Sequence, residues 1–83
     1  MKALLTKVRT KLGDFEIENI LFDSFKEAKE FKNKEWENMM ERGSGMYKCY
    51  NMNFNSRYSD NKVTIYWQIT SLNAIKKENE HDN

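Results

Sequence analysis

The feature that most constrains this sequence is the segment from Asp23 to Gly43, which carries the start signal, the period and the stop signal of an α-helix. Ser24 and Glu27 have the spacing of a capping box, in which the serine hydroxyl accepts a hydrogen bond from the Glu27 amide. Arg42 would lie in the last turn, and Gly43 is expected to end the helix in a left-handed conformation. At about 100° per residue, the apolar residues fall on one arc: Phe25, Ala28, Phe31, Trp36, Met39 and Met40.

Three charged residues, Lys29, Lys32 and Glu35, project into this apolar arc, and Lys32 lies near its centre. We expect Lys32 to snorkel, with its stem over the edge of the core and its ammonium in water. A helix irregularity near Asn33 would accommodate it equally well. The functional alternative is a charge placed for a ligand.

Before the helix, the sequence predicts a β-hairpin. Residues 3–12 alternate, with Leu4, Thr6, Val8, Thr10 and Leu12 on one face and Leu5, Lys7, Arg9 and Lys11 on the other. Gly13-Asp14 is the predicted two-residue turn, and a second strand follows from Phe15 to Phe22, with Phe15, Ile17 and Leu21 sharing a face. This turn sets Leu12 opposite Phe15, Lys11 opposite Glu16, Thr10 opposite Ile17 and Arg9 opposite Glu18, so that cations meet carboxylates.

After the helix, the sequence predicts a second pair of strands. Residues 46–55 alternate, with Tyr50, Met52 and Phe54 on one face, and residues 56–61 are polar and loop-like. Residues 62–72 form the strongest predicted strand, rich in β-branched and aromatic residues. Its apolar face is made of Val63, Ile65, Trp67 and Ile69, and the opposite face of Thr64, Tyr66, Gln68 and Thr70.

The order β-β-α-β-β predicts an α+β fold, in which a four-stranded antiparallel sheet carries one helix packed on one face. We expect a single domain over residues 1–75 and a polar, disordered tail over 76–83. The helix residues Phe25, Phe31, Trp36 and Met39 should meet five strand residues: Val63, Ile65, Trp67, Tyr50 and Phe54. We expect Trp67 and Phe31 to be buried.

The composition of the chain argues against several classes of function. The net charge is +1, whereas a non-specific nucleic-acid binder usually carries a basic excess. Cys49 is the one cysteine and His81 the one histidine, so no internal disulfide is possible and no metal site is expected. A long apolar run and a signal-peptide core are absent, and we therefore expect a cytoplasmic protein. With no cofactor motif and no base placed beside Cys49, an enzyme is the least favoured class.

Two surfaces are candidate binding sites. Lys7, Arg9 and Lys11 form a basic stripe that would suit phosphates, although a solvated outer face offset by Glu16 and Glu18 explains it too. On the second pair of strands, polar and aromatic residues of the kind found in paratopes predict a partner-binding surface; they are Tyr47, Asn51, Asn53, Tyr58 and Tyr66.

The layout resembles the small α+β proteins of phages and mobile elements of low-GC bacteria. The shared features are an opening strand (residues 2–12), the tight Gly13-Asp14-Phe15 turn, an EAKEF-like helix (residues 27–31) and a closing hairpin. Anti-CRISPR and other anti-defence proteins are similar in size and compactness, and the resemblance is one of architecture.

The leading hypothesis is a non-enzymatic, phage-type protein that inhibits a host protein or ribonucleoprotein complex by occlusion. One alternative is a nucleic-acid-binding module that uses Lys7, Arg9 and Lys11. Another is a structural or assembly homodimer, which is one remedy for the small core of an 83-residue chain.

Overall fold

The computed structural model describes residues 2–45 and 47–72. In chain order the elements are β1 (Ala3–Lys11), β2 (Asp14–Phe22), α1 (Phe25–Arg42), β3 (Tyr50–Asn51), β4 (Asn55–Ser59) and β5 (Val63–Ser71). The strands form one antiparallel sheet in the order β2-β1-β5-β4-β3. The α+β class and the single helix are confirmed for the described residues, but the sheet has five strands there instead of the predicted four. The predicted tail over 76–83, with His81, lies outside the described residues.

The helix begins as predicted. The side chain of Ser24 accepts a hydrogen bond from the Glu27 amide at 3.1 Å, so Ser24 caps the first turn of the helix. One side of α1 packs on the sheet around Trp67, which is fully buried as predicted. Phe31, which was also predicted to be buried, is only partly buried; it lies beside Phe22 with ring centroids 5.3 Å apart. Among the described residues the buried apolar core is small: Ala3, Leu5, Ala28, Tyr58, Ile65, Trp67 and Ile69.

The first hairpin has a different turn from the predicted one. Leu12-Gly13 is the loop, which sets Lys11 opposite Asp14 and Arg9 opposite Glu16. Gly13 has φ +75°, the value required at the second central position of a type II turn, whereas the prediction used glycine at the first position. The pairing shifts by an even number of residues, so the predicted faces of both strands are kept.

The second pair of strands differs more from the prediction. Within residues 47–55, the predicted strand is interrupted: only Tyr50–Asn51 form β3, and Asn55 already begins β4. The predicted loop over 56–61 contains the rest of β4, which ends at Ser59. Ser56 and Tyr58 of β4 lie opposite Trp67 and Ile65 and are buried. The polar composition of this segment suggested a loop. The segment nevertheless forms a buried strand, because Ser56 accepts a hydrogen bond from a buried side chain of the helix, described below.

The helix ends at Gly43 in an extended conformation, with φ −104° and ψ 178°, and the predicted left-handed cap is wrong. The Gly43 amide still donates to the Met39 carbonyl at 2.8 Å. Glycine is required here by close approach, since an added Cβ would lie 1.6 Å from Oη of Tyr58. That hydroxyl is fixed, because it donates to Asp60 Oδ2 at 2.5 Å and accepts from the Gly45 amide at 3.4 Å.

Gly43→Ala is therefore expected to lower the free energy of unfolding by about 1–3 kcal/mol, as overpacking typically does. This loss outweighs the gain of roughly 0.4–1 kcal/mol from a less flexible unfolded chain. Urea unfolding measures the change. Ser44→Ala, at the exposed neighbouring residue, should stay within about 0.5 kcal/mol of wild type. A Gly43→Ala variant as stable as Ser44→Ala would show that Tyr58 moves aside without cost.

Candidate functional site

The most unusual residue in the structure is Lys32, which lies in the middle of α1 and is fully buried. Its ammonium has three N–H donors and lies within hydrogen-bond distance of four oxygen atoms, so one donor is shared: Asn33 Oδ1 at 2.9 Å, Asn51 Oδ1 at 2.7 Å, the Met52 carbonyl at 2.7 Å and Ser56 Oγ at 2.8 Å. The prediction that Lys32 snorkels into water is wrong. A buried ammonium is stable only when its donors are satisfied, and this helix obtains the acceptors from the segment that follows it.

Three of the four acceptors belong to the β3–β4 hairpin over residues 50–59: Asn51, Met52 and Ser56. Ser56 Oγ also donates to Asn51 Oδ1, and the Met52 amide donates to the Asn55 carbonyl at 2.8 Å. The loop between β3 and β4 is thus bonded internally and to the helix. Lys32 fixes this loop on the scaffold.

Burial lowers the pKa of the Lys32 ammonium, and the nearby charge of Lys29 lowers it further. Among the described residues, all four partners of the ammonium are neutral oxygens of amide, carbonyl and hydroxyl groups. The charge is therefore stabilised by dipoles instead of by a carboxylate. Such a network holds one geometry, because each neutral acceptor must stay within hydrogen-bond distance.

At its tip, this hairpin exposes two large apolar side chains. Met52 is 61% exposed and Phe54 is 55% exposed. The Phe54 ring contacts the partly buried ring of Phe25 at the start of α1, with centroids 5.0 Å apart. We call Phe25, Met52, Asn53 and Phe54 the hairpin patch. The predicted contact between the helix and Phe54 is therefore present, although the Phe54 ring stays more than half exposed. The predicted contact of Tyr50 with the helix is wrong, because Tyr50 lies on the other face of the sheet.

The basic stripe lies on the helix side of the sheet, and two of its three cations are paired. Lys7 Nζ lies 3.0 Å from Glu35 Oε1, and the same oxygen accepts from the indole of Trp67 at 3.0 Å. Arg9 Nη1 lies 3.6 Å from Glu16 Oε1 in an exposed pair. The stripe is therefore part of a network that connects β1, β2, α1 and β5. Glu35, which interrupts the apolar arc, connects α1 to Lys7 of β1 and to Trp67 of β5.

The opposite side of the sheet is left uncovered by the helix. Because directly paired residues of antiparallel strands share a face, one row runs across all five strands, from Ile17 through Val8, Tyr66 and Arg57 to Tyr50. On β2 this open face shows Phe15 at 65%, Ile17 at 58% and Leu21 at 55% exposure. The sequence predicted their common face correctly but not that it would lack a cover.

The predicted partner-binding residues do not form one surface. Tyr58 is fully buried, and including it was wrong because its ring fills the core below Gly43. Tyr47 is exposed and its hydroxyl donates to Asn61 Oδ1 at 2.9 Å. Tyr66 lies on the open face and donates to Gln68 Oε1 at 2.9 Å. Asn53 lies in the β3–β4 loop, whereas Asn51 is the last residue of β3 and its side-chain oxygen accepts from Lys32 and Ser56.

Sequence reasoning missed the hairpin patch, although a signal for it was present. A lysine in an apolar helical arc needs several oxygen acceptors, and residues 51–56 supply a dense run of them, Asn51, Asn53, Asn55 and Ser56. That pairing would have brought the loop onto the helix. It would also have turned Met52 and Phe54, which lie between these residues, toward solvent.

The remaining reactive groups show little organisation. Cys49 is half-buried, and its thiol accepts from the Ser59 amide at 3.3 Å. Burial and then the hydrogen bond to Asp60 raise the pKa of the Tyr58 phenol.

Within residues 2–45 and 47–72, no cluster of three His, Cys, Asp or Glu side chains has a metal-binding arrangement. No helix in this part of the chain has the length and apolar character needed to cross a membrane.

A scan of protein-family models gives no match to this chain, and comparisons with curated proteins and with solved structures give none either.

Proposed function

We propose that this chain is a non-enzymatic binding protein that inhibits a host macromolecular complex by occlusion, and that the hairpin patch makes the contact. The observation that carries the proposal is the exposure of Met52 and Phe54 on a loop fixed by a fully buried lysine. The partner surface is a protein groove or pocket of apolar character. Such a groove would take the Phe54 ring and the Met52 thioether together.

The physical support is preorganisation. Association must offset the ordering of side chains and loops at the interface, which costs about 0.5–1.5 kcal/mol for each immobilised flexible side chain. The bonds from Lys32 to Asn51, Met52 and Ser56 order this loop before binding. Aromatic residues and methionine are enriched at interface cores, and Asn53 beside them is an exposed polar group at the rim.

Binding by occlusion is favoured over catalysis because the reactive groups of the described chain are occupied by structural bonds. The Cys49 thiol contacts the backbone of Tyr47 and Ser59, whereas a nucleophile needs an adjacent base. Nucleic-acid binding through Lys7, Arg9 and Lys11 is the less supported alternative. Glu35 and Glu16 neutralise two of those cations, so fewer are free to replace the counterions of a phosphate backbone.

Phe54→Glu is expected to weaken partner binding at least tenfold, since truncating or charging an apolar anchor in a desolvated interface costs more than about 1.4 kcal/mol. The tagged chain would first capture the partner from a lysate of a low-GC bacterium. Isothermal titration of the purified partner would then compare wild type with Phe54→Glu. Leu12→Glu is the matched control, because Leu12 is a 93% exposed apolar residue in the β1–β2 turn.

Two results would contradict the proposal. Equal affinity of wild type and Phe54→Glu for the captured partner would remove the hairpin patch from the interface. Salt-sensitive binding to DNA or RNA in gel shifts, lost in Arg9→Ala, would favour the nucleic-acid alternative.

A further inference from the structure

We propose that the open face of the sheet is the interface for a second copy of this chain, with the two sheets packed face to face. This surface is separate from the hairpin patch, and the inference does not depend on the proposed function. The first observation is exposure: three large apolar side chains of β2, Phe15, Ile17 and Leu21, are each more than half exposed on one face. Leu4 and Val8 of β1 lie beside them, opposite Leu21 and Ile17.

The charge distribution argues for a self-complementary contact. A third of the residues are charged, 33%, yet Arg57 is the single charged residue on the open face of the described strands. Its guanidinium is turned onto the carbonyls of Tyr47 and Lys48 at 3.4 and 3.2 Å. A neutral apolar surface needs no opposite charge on its partner, so an identical copy satisfies it. A symmetric contact requires each surface to be complementary to an identical copy of itself.

The residue pattern also gives the position of the two-fold axis. The apolar residues occupy β1 and β2, while β5 contributes threonines, Tyr66 and Gln68 to the same face. A two-fold axis that runs across the strands at the level of Ile17 and Val8 packs the apolar half of one copy on that of the other and also brings the rest of the two faces together. The resulting dimer has four layers, helix, sheet, sheet and helix. Each sheet is then covered on both faces, the normal condition for buried apolar strands.

The face is large enough for a stable dimer. It comprises three nine-residue strands and two shorter ones. With a rise of about 3.3 Å per residue and a strand spacing of about 4.8 Å, its flat footprint is roughly 500 Å². Side chains standing off the sheet add to the accessible area, which brings it toward the roughly 800 Å² per partner of standard interfaces.

The other route to a dimer, pairing of two β2 edges, is disfavoured by charge. Asp14, Glu16 and Glu18 alternate along β2 on the helix side. Antiparallel pairing of β2 with its copy would set this acidic row against itself, and like charges directly opposite one another destabilise a sheet. Acidic side chains of this kind protect an edge strand from pairing.

The test is the solution mass by sedimentation equilibrium from about 1 to 100 μM. Wild type is expected to reach twice the 10.0 kDa chain mass, with a dissociation constant of about 1 μM. Ile17→Glu should weaken the dimer more than a hundredfold, because two carboxylates would meet near the axis. Phe54→Glu is the matched control: its side chain is 55% exposed, against 58% for Ile17, but lies in the hairpin patch. It should leave the dimer unchanged. Circular dichroism would check that both variants remain folded.

Three outcomes would overturn the inference. A 10.0 kDa species at the highest concentration would leave the open face to a different protein. A dimer that survives Ile17→Glu would not use this face. Tighter association of Glu18→Gln than of wild type would assign the contact to the β2 edge, where removal of a like charge helps pairing.

Discussion

Trp67→Ala is expected to lower the free energy of unfolding by about 3–5 kcal/mol, the usual cost of removing a buried aromatic side chain. Trp67 is fully buried between α1 and the sheet, and its indole donates to Glu35 at 3.0 Å. The change leaves a cavity and removes the indole donor of the Glu35 carboxylate, which then keeps only its ion pair with Lys7 among the contacts described above. Because small domains have only about 5–15 kcal/mol in total, a large share of the variant should be unfolded at elevated temperature.

Thermal and urea unfolding measure this loss, and two further variants identify its cause. Trp67→Phe keeps most of the volume but not the indole donor, so its stability should lie between wild type and Trp67→Ala. Gln68→Ala, at the next residue on the opposite face, should cost no more than about 1 kcal/mol. A melting temperature of Trp67→Ala equal to that of wild type would contradict the position of Trp67 in the core.

Lys32→Met should lower the free energy of unfolding by about 3 kcal/mol while filling nearly the same volume. The expected loss arises because buried acceptors on Asn51, Met52 and Ser56 lose their donor, at about 1–3 kcal/mol for each one that stays unsatisfied. Removal of a desolvated charge offsets part of this cost. Hydrogen exchange at residues 50–56 should increase, because the loop is no longer fixed to the helix. Lys34→Met, at an exposed position of the same helix, should change stability by less than about 0.5 kcal/mol.

The Lys32→Met variant should also change how the free energy of unfolding depends on pH. Burial lowers the Lys32 pKa in the folded chain from the ordinary 10.5, so the unfolded chain holds the lysine proton to higher pH. Unfolding therefore takes up a proton in the window below 10.5, and the free energy of unfolding rises with pH there. This rise should be present in wild type and Lys34→Met and absent in Lys32→Met. Equal pH dependence in all three chains would mean that Lys32 reaches water.

The elements that could be predicted from the sequence are those with a local cause. The capping pair Ser24 and Glu27 and the period of α1 determined the helix, and the alternation around Trp67 determined β5 and its buried face. The β1–β2 hairpin was predicted with the correct residues sharing each face and with its turn one residue late. The face of Lys7, Arg9 and Lys11, which was expected to point outward, is the one that lies on the helix side. Gly-Asp and Leu-Gly turns differ only in which central position takes the positive φ, and the cation and carboxylate pairs are satisfied in either register.

The predictions that were wrong concern residues whose surroundings are supplied by distant parts of the chain. Ser56 in β4 is polar and buried because Lys32, 24 residues away, donates to it. Tyr58 is in the core because Gly43 leaves room for its hydroxyl. Neither fact is visible in the local pattern, which assigned Ser56 to a loop and Tyr58 to a binding surface. The residues of the predicted partner-binding surface are separated for the same reason, since exposure depends on which sheet face α1 covers.

The central position of β1 in the strand order has a consequence for biosynthesis. Its neighbours are β2, which follows at once, and β5, which begins at Val63. A two-stranded hairpin alone is at best marginally stable in water, so β1 and β2 cannot complete a folded unit as they leave the ribosome. At roughly 5–20 residues per second, the apolar strand residues wait several seconds for β5, and chaperones have access to them throughout that interval.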